Sequence, residues 1–206
     1  RGGSGLGSVS TEDIIRVEHL TKEFDIRGSK GEAKKLLAVD DVSFGLRTGT
    51  TLAVVGESGS GKSSLLKVIA SVADPTSGSV LVDGQPLSRF GLIEYRNNIG
   101  AVFAEDGLFQ ATIVENVSMF DPDVSLDRVQ EALDLVGLTS EIEALPQGLA
   151  TVVANNNTLL STGQRRRLLA ARVICRRPKL MLFDEITANL DARTEHRVRC
   201  ATDLDA

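Results

Sequence analysis

The chain has 206 residues, 42% hydrophobic and 25% charged, with 19 Gly and 5 Pro. This is ordinary globular usage, enough for one sizeable core with a smaller attached subdomain, and it excludes a disordered or fibrous chain. Lys plus Arg number 23 against 28 Asp plus Glu, a formal charge of −5, which speaks against a protein organised around a basic nucleic-acid-binding face.

No window approaches the run of about 18 apolar residues needed to span a bilayer, and no signal-peptide pattern opens the sequence. Two cysteines, Cys175 and Cys200, make no disulfide framework, so a reducing compartment is expected. The opening RGGSGLGS is linker-like, and the chain reads as an excerpt of a longer polypeptide with residues 1–10 as a flexible linker. From Ile14, IIRVEHL reads as a strand, followed by a polar loop from Arg27 to Lys35 and a second strand from Leu36 to Leu46. Thr51–Val55 (TLAVV) reads as a short buried strand running into glycines. Ser63–Ala73 has helical spacing, and Ser79–Val82 and Ile99–Phe103 read as further strands. Short helices are expected over Thr112–Phe120, Ser125–Val136 and Glu141–Leu145, with a polar loop at Asn155, Asn156 and Asn157. A longer helix over Ser161–Cys175 opens on an N-cap serine, and Leu180–Phe183 (LMLF) has the pattern of a parallel strand buried on both faces. Strands alternating with helices indicate an α/β core, with the helix-rich middle as an inserted subdomain.

The sharpest local signal is GESGSGKS, Gly56–Ser63, between an expected strand and helix. Phosphate oxygens need several inward-pointing backbone N–H groups, and Gly56, Gly59 and Gly61 let the chain curl that tightly around an anion. Glu57, Ser58 and Ser60 complete the loop, and Ser64 continues into a helix whose N-terminus adds favourable dipole. Lys62 supplies a point charge for the β- and γ-phosphates, and the Ser63 hydroxyl a ligand for Mg²⁺. A second signal stands where LMLF ends, at Asp184 and Glu185. Parallel α/β sheets collect ligand groups at the carboxyl ends of strands, so Asp184 is expected to hold Mg²⁺ and Glu185 to act as the general base on water. Alone, this pair reads equally well as an acidic turn after a core strand.

Between these signals lies LSTGQRRRLLAARVICRRPKLMLFDEITANLD, Leu160–Asp191. With the phosphate loop before it, this stretch resembles the nucleotide-binding domain of an ATP-binding cassette (ABC) transporter, over nearly everything from Ile14 to Val198. LSTGQ is similar to the family's LSGGQ signature, and Ala188–Asp191 (ANLD) to its D-loop. The resemblance implies an α/β P-loop NTPase fold of ABC ATPase type, with an antiparallel β subdomain and an inserted α-helical subdomain. Residues 11–104 and 176–206 would form the ATP-binding core and 105–175 the helical subdomain. It further implies ATP and Mg²⁺ as cofactors and hydrolysis with Lys62 and Glu185 as the catalytic pair. A second ABC ATPase domain, identical or not, would pair head to tail with this one. The signature residues Ser161, Thr162, Gly163 and Gln164 would then face the partner's ATP, and Asp191 would contact the partner. Phe24, in LTKEF, falls where the family stacks an aromatic on adenine; a core phenylalanine at a strand end is the alternative. IGAVFAEDGLFQATIVENVSMFDP resembles exporter members, especially those secreting peptides or bacteriocins, whereas VDDVSFGL resembles peptide importers. A transmembrane domain, fused or separate, and a place on the cytoplasmic face of a bacterial inner membrane are implied; nucleic acid is not.

Four departures bear on turnover. The family's glutamine after the Ile99–Phe103 strand is Ala104 here, with neither side-chain donor nor acceptor. Thr162 replaces the first glycine of the signature pair. Asn155–Asn157 stand where exporters carry a glutamate and glycines, and the switch histidine has no counterpart before Ala206. His196 reads as a surface residue and His19 as a strand residue without partners. Arg165, Arg166 and Arg167 read as a helix face that is solvated or near the partner rather than a nucleic-acid patch. The competing functions are a nucleotide-binding module with very slow or no hydrolysis, and a soluble ABC ATPase outside transport.

Overall fold

In a computed structural model, the described residues are 13–27, 33–154 and 159–184. The chain divides into two units, Arg1–Arg96 and Asn97–Ala206. The first is built on a long hairpin: β1 (Asp13–Arg27) and β2 (Ala33–Arg47) pair antiparallel from Asp13↔Arg47 to Arg27↔Ala33. Alternation at the start of β1 buries Ile15 and Val17, and Leu20 follows them inward after a register shift; from Phe24 onward the strand is exposed. β3 (Ser77–Val82) pairs with the other edge of β1 and carries β4 (Gln85–Pro86), giving an antiparallel sheet of order β2-β1-β3-β4.

The same unit holds α1 (Lys62–Ile69), which buries Leu65, Val68 and Ile69. The helix expected to reach Ala73 stops at Ile69, because Ser71 takes the left-handed region at φ 58°. A helix the sequence did not disclose, α2 (Leu92–Asn97), buries Tyr95, whose hydroxyl donates to the Ile69 carbonyl at 2.7 Å. Burial pushes the Tyr95 phenol above its ordinary value. Thr51–Val55 is a correction: it joins no ladder among the described residues, and Leu52, Val54 and Val55 are exposed, Val55 at 91%. A five-residue apolar run specifies a buried strand only when neighbours supply both edges, which periodicity cannot reveal.

In the second unit β5 (Ile99–Val102) and β8 (Leu180–Phe183) pair in parallel, Ile99↔Leu180 through Val102↔Phe183. Gly100 is required there: a Cβ on it would fall 2.3 Å from Val173 Cγ1. Within β8 Leu182 is buried while its neighbours are half-buried, a shallower setting than burial on both faces, since β5 is its described ladder partner. The core is helical. α6 (Thr162–Cys175) packs against α3 (Ile113–Ser118) and α4 (Leu126–Leu135), burying Ile113, Val117, Val129, Leu133, Leu168 and Ala171. α5 (Thr139–Glu143) adds Ile142, and a two-residue ladder joins β6 (Ala111–Thr112) to β7 (Val152–Val153). Caps fix these helix starts. Ser125 Oγ accepts the Arg128 N–H at 3.3 Å, and Thr112 with Glu115 forms a capping box.

Candidate nucleotide-binding site

The Gly56–Ser63 loop has the curvature its glycines predict. Gly59 and Gly61 sit at φ 82° and 88°, and Gly61 caps α1. Gly61 also lies against β2: a Cβ there would fall 1.8 Å from the Ala38 carbonyl oxygen, so no side chain fits. The Lys62 ammonium reaches back over the loop, donating to the Gly56 and Glu57 carbonyls at 2.7 Å each and to Ser60 Oγ at 3.3 Å. A hydrogen bond from Ser60 N to Glu57 O at 3.1 Å closes the turn. Gly56–Ser60 are exposed; Gly61, Lys62, Ser63 and Ser64 are half-buried as the chain enters α1. The loop therefore presents backbone N–H groups, a helix N-terminus and one ammonium together.

Phe24 is 37% exposed, so the core alternative is set aside. Its ring carries the Lys22 ammonium 4.9 Å from its centroid, and its strand position pairs with Leu36. Two residues along β2 is Ala38, against which Gly61 rests, so one stretch of β2 positions both the aromatic and the loop.

In the second unit Asp184 ends β8, its N–H donating to Val102 O at 2.9 Å. It is 4% exposed, and its Oδ2 is buried with no hydrogen-bond partner among the described residues. An orphaned buried carboxylate oxygen costs stability unless a cation or donor meets it, so this aspartate suits a dication. It lines a cavity of about 260 Å³ with Ala104, Asp106, Thr162, Arg165 and Arg166. Glu185, Asp191, Asn155, Asn156, Asn157, His196 and Cys200 lie outside the described residues.

The signature opens α6 as a capping box. Ser161 Oγ accepts the Gln164 N–H at 3.2 Å and Gln164 Oε1 accepts the Ser161 N–H at 2.7 Å. Ser161 thus keeps its hydroxyl proton to donate elsewhere. Ser161 and Thr162 are exposed, and Gly163 is half-buried. Gln164 donates to Glu141 Oε2, and Arg167 donates to Glu141 Oε1 at 2.7 Å and to Gly137 O at 2.8 Å. Burial raises the Glu141 carboxyl, but the Gln164 amide and the Arg167 guanidinium outweigh it and hold the group below its ordinary value.

Arg165, Arg166 and Arg167 are half-buried, the first two lining the cavity and the third on Glu141. One expectation changes here. His19 has a partner, Asp41 Oδ1 at 2.8 Å, on the exposed hairpin, where both residues take positive φ at a register shift. The sequence also missed a buried polar hub. Asn116, 1% exposed, donates to Phe109 O, Ala111 O and Thr112 O and accepts the Phe109 N–H. Arg172 from α6 donates to Asn116 O and Oδ1, each at 2.9 Å, and to Gly107 O at 3.2 Å. It also lies 4.9 Å above the Phe109 ring, and burial lowers its affinity for its proton. Partners 56 residues apart leave no local signal; an asparagine inside a helix was the one available hint.

A glycine loop leading into a helix, and a buried aspartate at the carboxyl end of a parallel strand, define a P-loop α/β protein of ATPase type. The profile of the ABC transporter family matches residues 39–188, and the chain belongs to that family. It is 38% identical over 190 residues to the ABC transporter ATP-binding protein exp8 of Streptococcus pneumoniae, spanning 92% of this chain and 31% of that protein. It is 40% identical over 161 residues to ABC transporter B family member 21 of Arabidopsis thaliana, spanning 78% and 12%. The solved structure of a bacterial Atm1-family ABC exporter with ATP bound is similar at a TM-score of 0.77 and 27% identity, over 96% of this chain and 33% of that one. The chain therefore spans a third or less of each of these relatives.

Proposed function

We propose that this chain is the ATP-binding and ATP-hydrolysing part of an exporter, working on the cytoplasmic face of a membrane through head-to-tail pairing with a second such domain. The observation that carries the reading is the Gly56–Ser63 loop, with Gly59 and Gly61 at positive φ and the Lys62 ammonium drawn over it. Phe24, exposed on β1, stacks on the adenine. The loop amides and Lys62 grip the β- and γ-phosphates, along Gly56, Glu57, Ser58, Gly59, Ser60, Gly61, Ser63 and Ser64. Ser63 and Asp184 are the residues that would hold Mg²⁺, which when bound neutralises phosphate charge. Glu185 takes a proton from water as its oxygen attacks the γ-phosphorus, the bond to the β–γ bridging oxygen breaks, and ADP and phosphate leave. Ser161 and Gly163 reach the ATP held by the partner domain, and Asp191 lies at the same interface. ATP joins the two domains and its hydrolysis parts them, a two-state cycle that moves attached membrane segments. Among the described residues no helix is long and apolar enough to cross a membrane.

Lys62→Ala tests the reading by calorimetry. ATP affinity should fall by about 100-fold, the loss of one desolvated charge-assisted contact; unchanged affinity would discard the assignment. A second reading, a module that closes on ATP with little hydrolysis, is favoured by Ala104 on the cavity wall. Tight binding with no phosphate release from the assembled transporter would select it.

A further inference from the structure

The cavity at the end of β8 contains a carboxylate the proposed chemistry leaves idle. Asp106 stands two residues past Ala104, in a turn closed from both sides. Its N–H donates to Phe103 O at 3.1 Å, and its Oδ2 accepts the Phe103 N–H at 2.8 Å. That clamp holds Oδ2 in the turn, and Asp106 lines the same cavity as Asp184. Asp184 contributes the independent sign that this wall receives a ligand: it is 4% exposed, and its Oδ2 has no hydrogen-bond partner among the described residues. Ala104 offers no polar side-chain atom to share the task. Mg²⁺ is ordinarily held by one or two carboxylates together with phosphate oxygens and water, which matches this pair of acids. Arg165 and Arg166 line the same cavity.

We propose that Asp106 replaces the absent glutamine as a metal-side residue, its second carboxylate oxygen binding Mg²⁺ or a water on it beside Asp184. The inference rests on the ATP reading above. Asp106 stands outside the family motif, whose glutamine position is held by Ala104.

A fluorescent ATP analogue titrated into the intact chain, with Mg²⁺ varied and with EDTA, tests this without reference to turnover. Asp106→Asn keeps a carbonyl oxygen for the Phe103 N–H while removing the charge. The Mg²⁺ concentration at half-effect should rise about tenfold, the usual cost of disturbing one group around a metal, with affinity in EDTA unchanged. The resonance of Mn²⁺ substituted for Mg²⁺ should change in parallel. Asp106→Ser, which also preserves an acceptor for the turn, should behave the same way and serves if the asparagine variant unfolds. A Mg²⁺ response identical to wild type in a variant that still binds the analogue overturns the role of Asp106 alone. Absence of Lys62-dependent uptake by the wild-type chain overturns the ATP reading, and this inference falls with it.

Discussion

Gly61 shows how one residue can be dictated twice over. Its φ of 88° is strained for any side chain, and a Cβ would overlap the Ala38 carbonyl oxygen at 1.8 Å. Gly61→Ala should therefore lower thermal stability by about 1–3 kcal/mol and weaken ATP binding, because relief of the clash moves the loop off β2; calorimetry on the same preparations reads both. Ala104 presents the opposite case, a residue that lacks a function its position invites. Ala104→Gln in the assembled transporter should raise ATPase activity, and an unchanged rate would mean that the slow step lies elsewhere. The loop and Lys62 were legible in the sequence because consecutive residues make them, and Asp184 because it follows directly on the apolar run LMLF. Asn116 was not, because its partner Arg172 stands 56 residues away and is brought close only by folding.

Helices were read well where caps announce them. Ser125, Thr112 and Ser161 each accept a backbone N–H three residues on, and the helices begin where those residues stand. The failures have physical causes as well: TLAVV has no ladder partner among the described residues, and α2 is too short to show a period. The start of α6 carries a prediction from this capping. Ser161→Ala should cost about 1 kcal/mol of stability measured by denaturant titration, whereas Ser161→Asp should cost little because aspartate caps equally well. The far end of α6 is held by Arg172. Arg172→Met should destabilise the second unit by about 3 kcal/mol, since the Asn116 and Gly107 carbonyls would lose a buried charged donor. Acid should weaken the same unit. Glu141 and Glu115 both have folded values held below the ordinary one, the latter by the Thr112 backbone and hydroxyl. The unfolded chain then takes up protons first, so stability is complete above about pH 5 and declines as pH falls through the depressed folded values. Glu141→Gln should flatten part of that decline in a series of melts between pH 3 and 6.

For the molecule as a whole, the proposed head-to-tail pairing makes an arithmetic prediction that a single-chain site does not. If each ATP lies between Lys62 of one copy and Ser161 of another, a chain with Lys62→Ala and a chain with Ser161→Asp are each inactive alone. The second change keeps the cap but sets a negative charge where the γ-phosphate would approach. Mixed, they form heterodimers in which one site has both altered residues and the other has neither. Random pairing makes half of all dimers mixed, each with one sound site of two, so about a quarter of wild-type ATPase activity should return. Recovery near that level would establish that two copies of this chain share each site. No recovery would mean either that the signature serves its own chain's nucleotide or that the natural partner is a different domain, and co-expression with that domain would then restore activity to the Lys62→Ala chain at its second site.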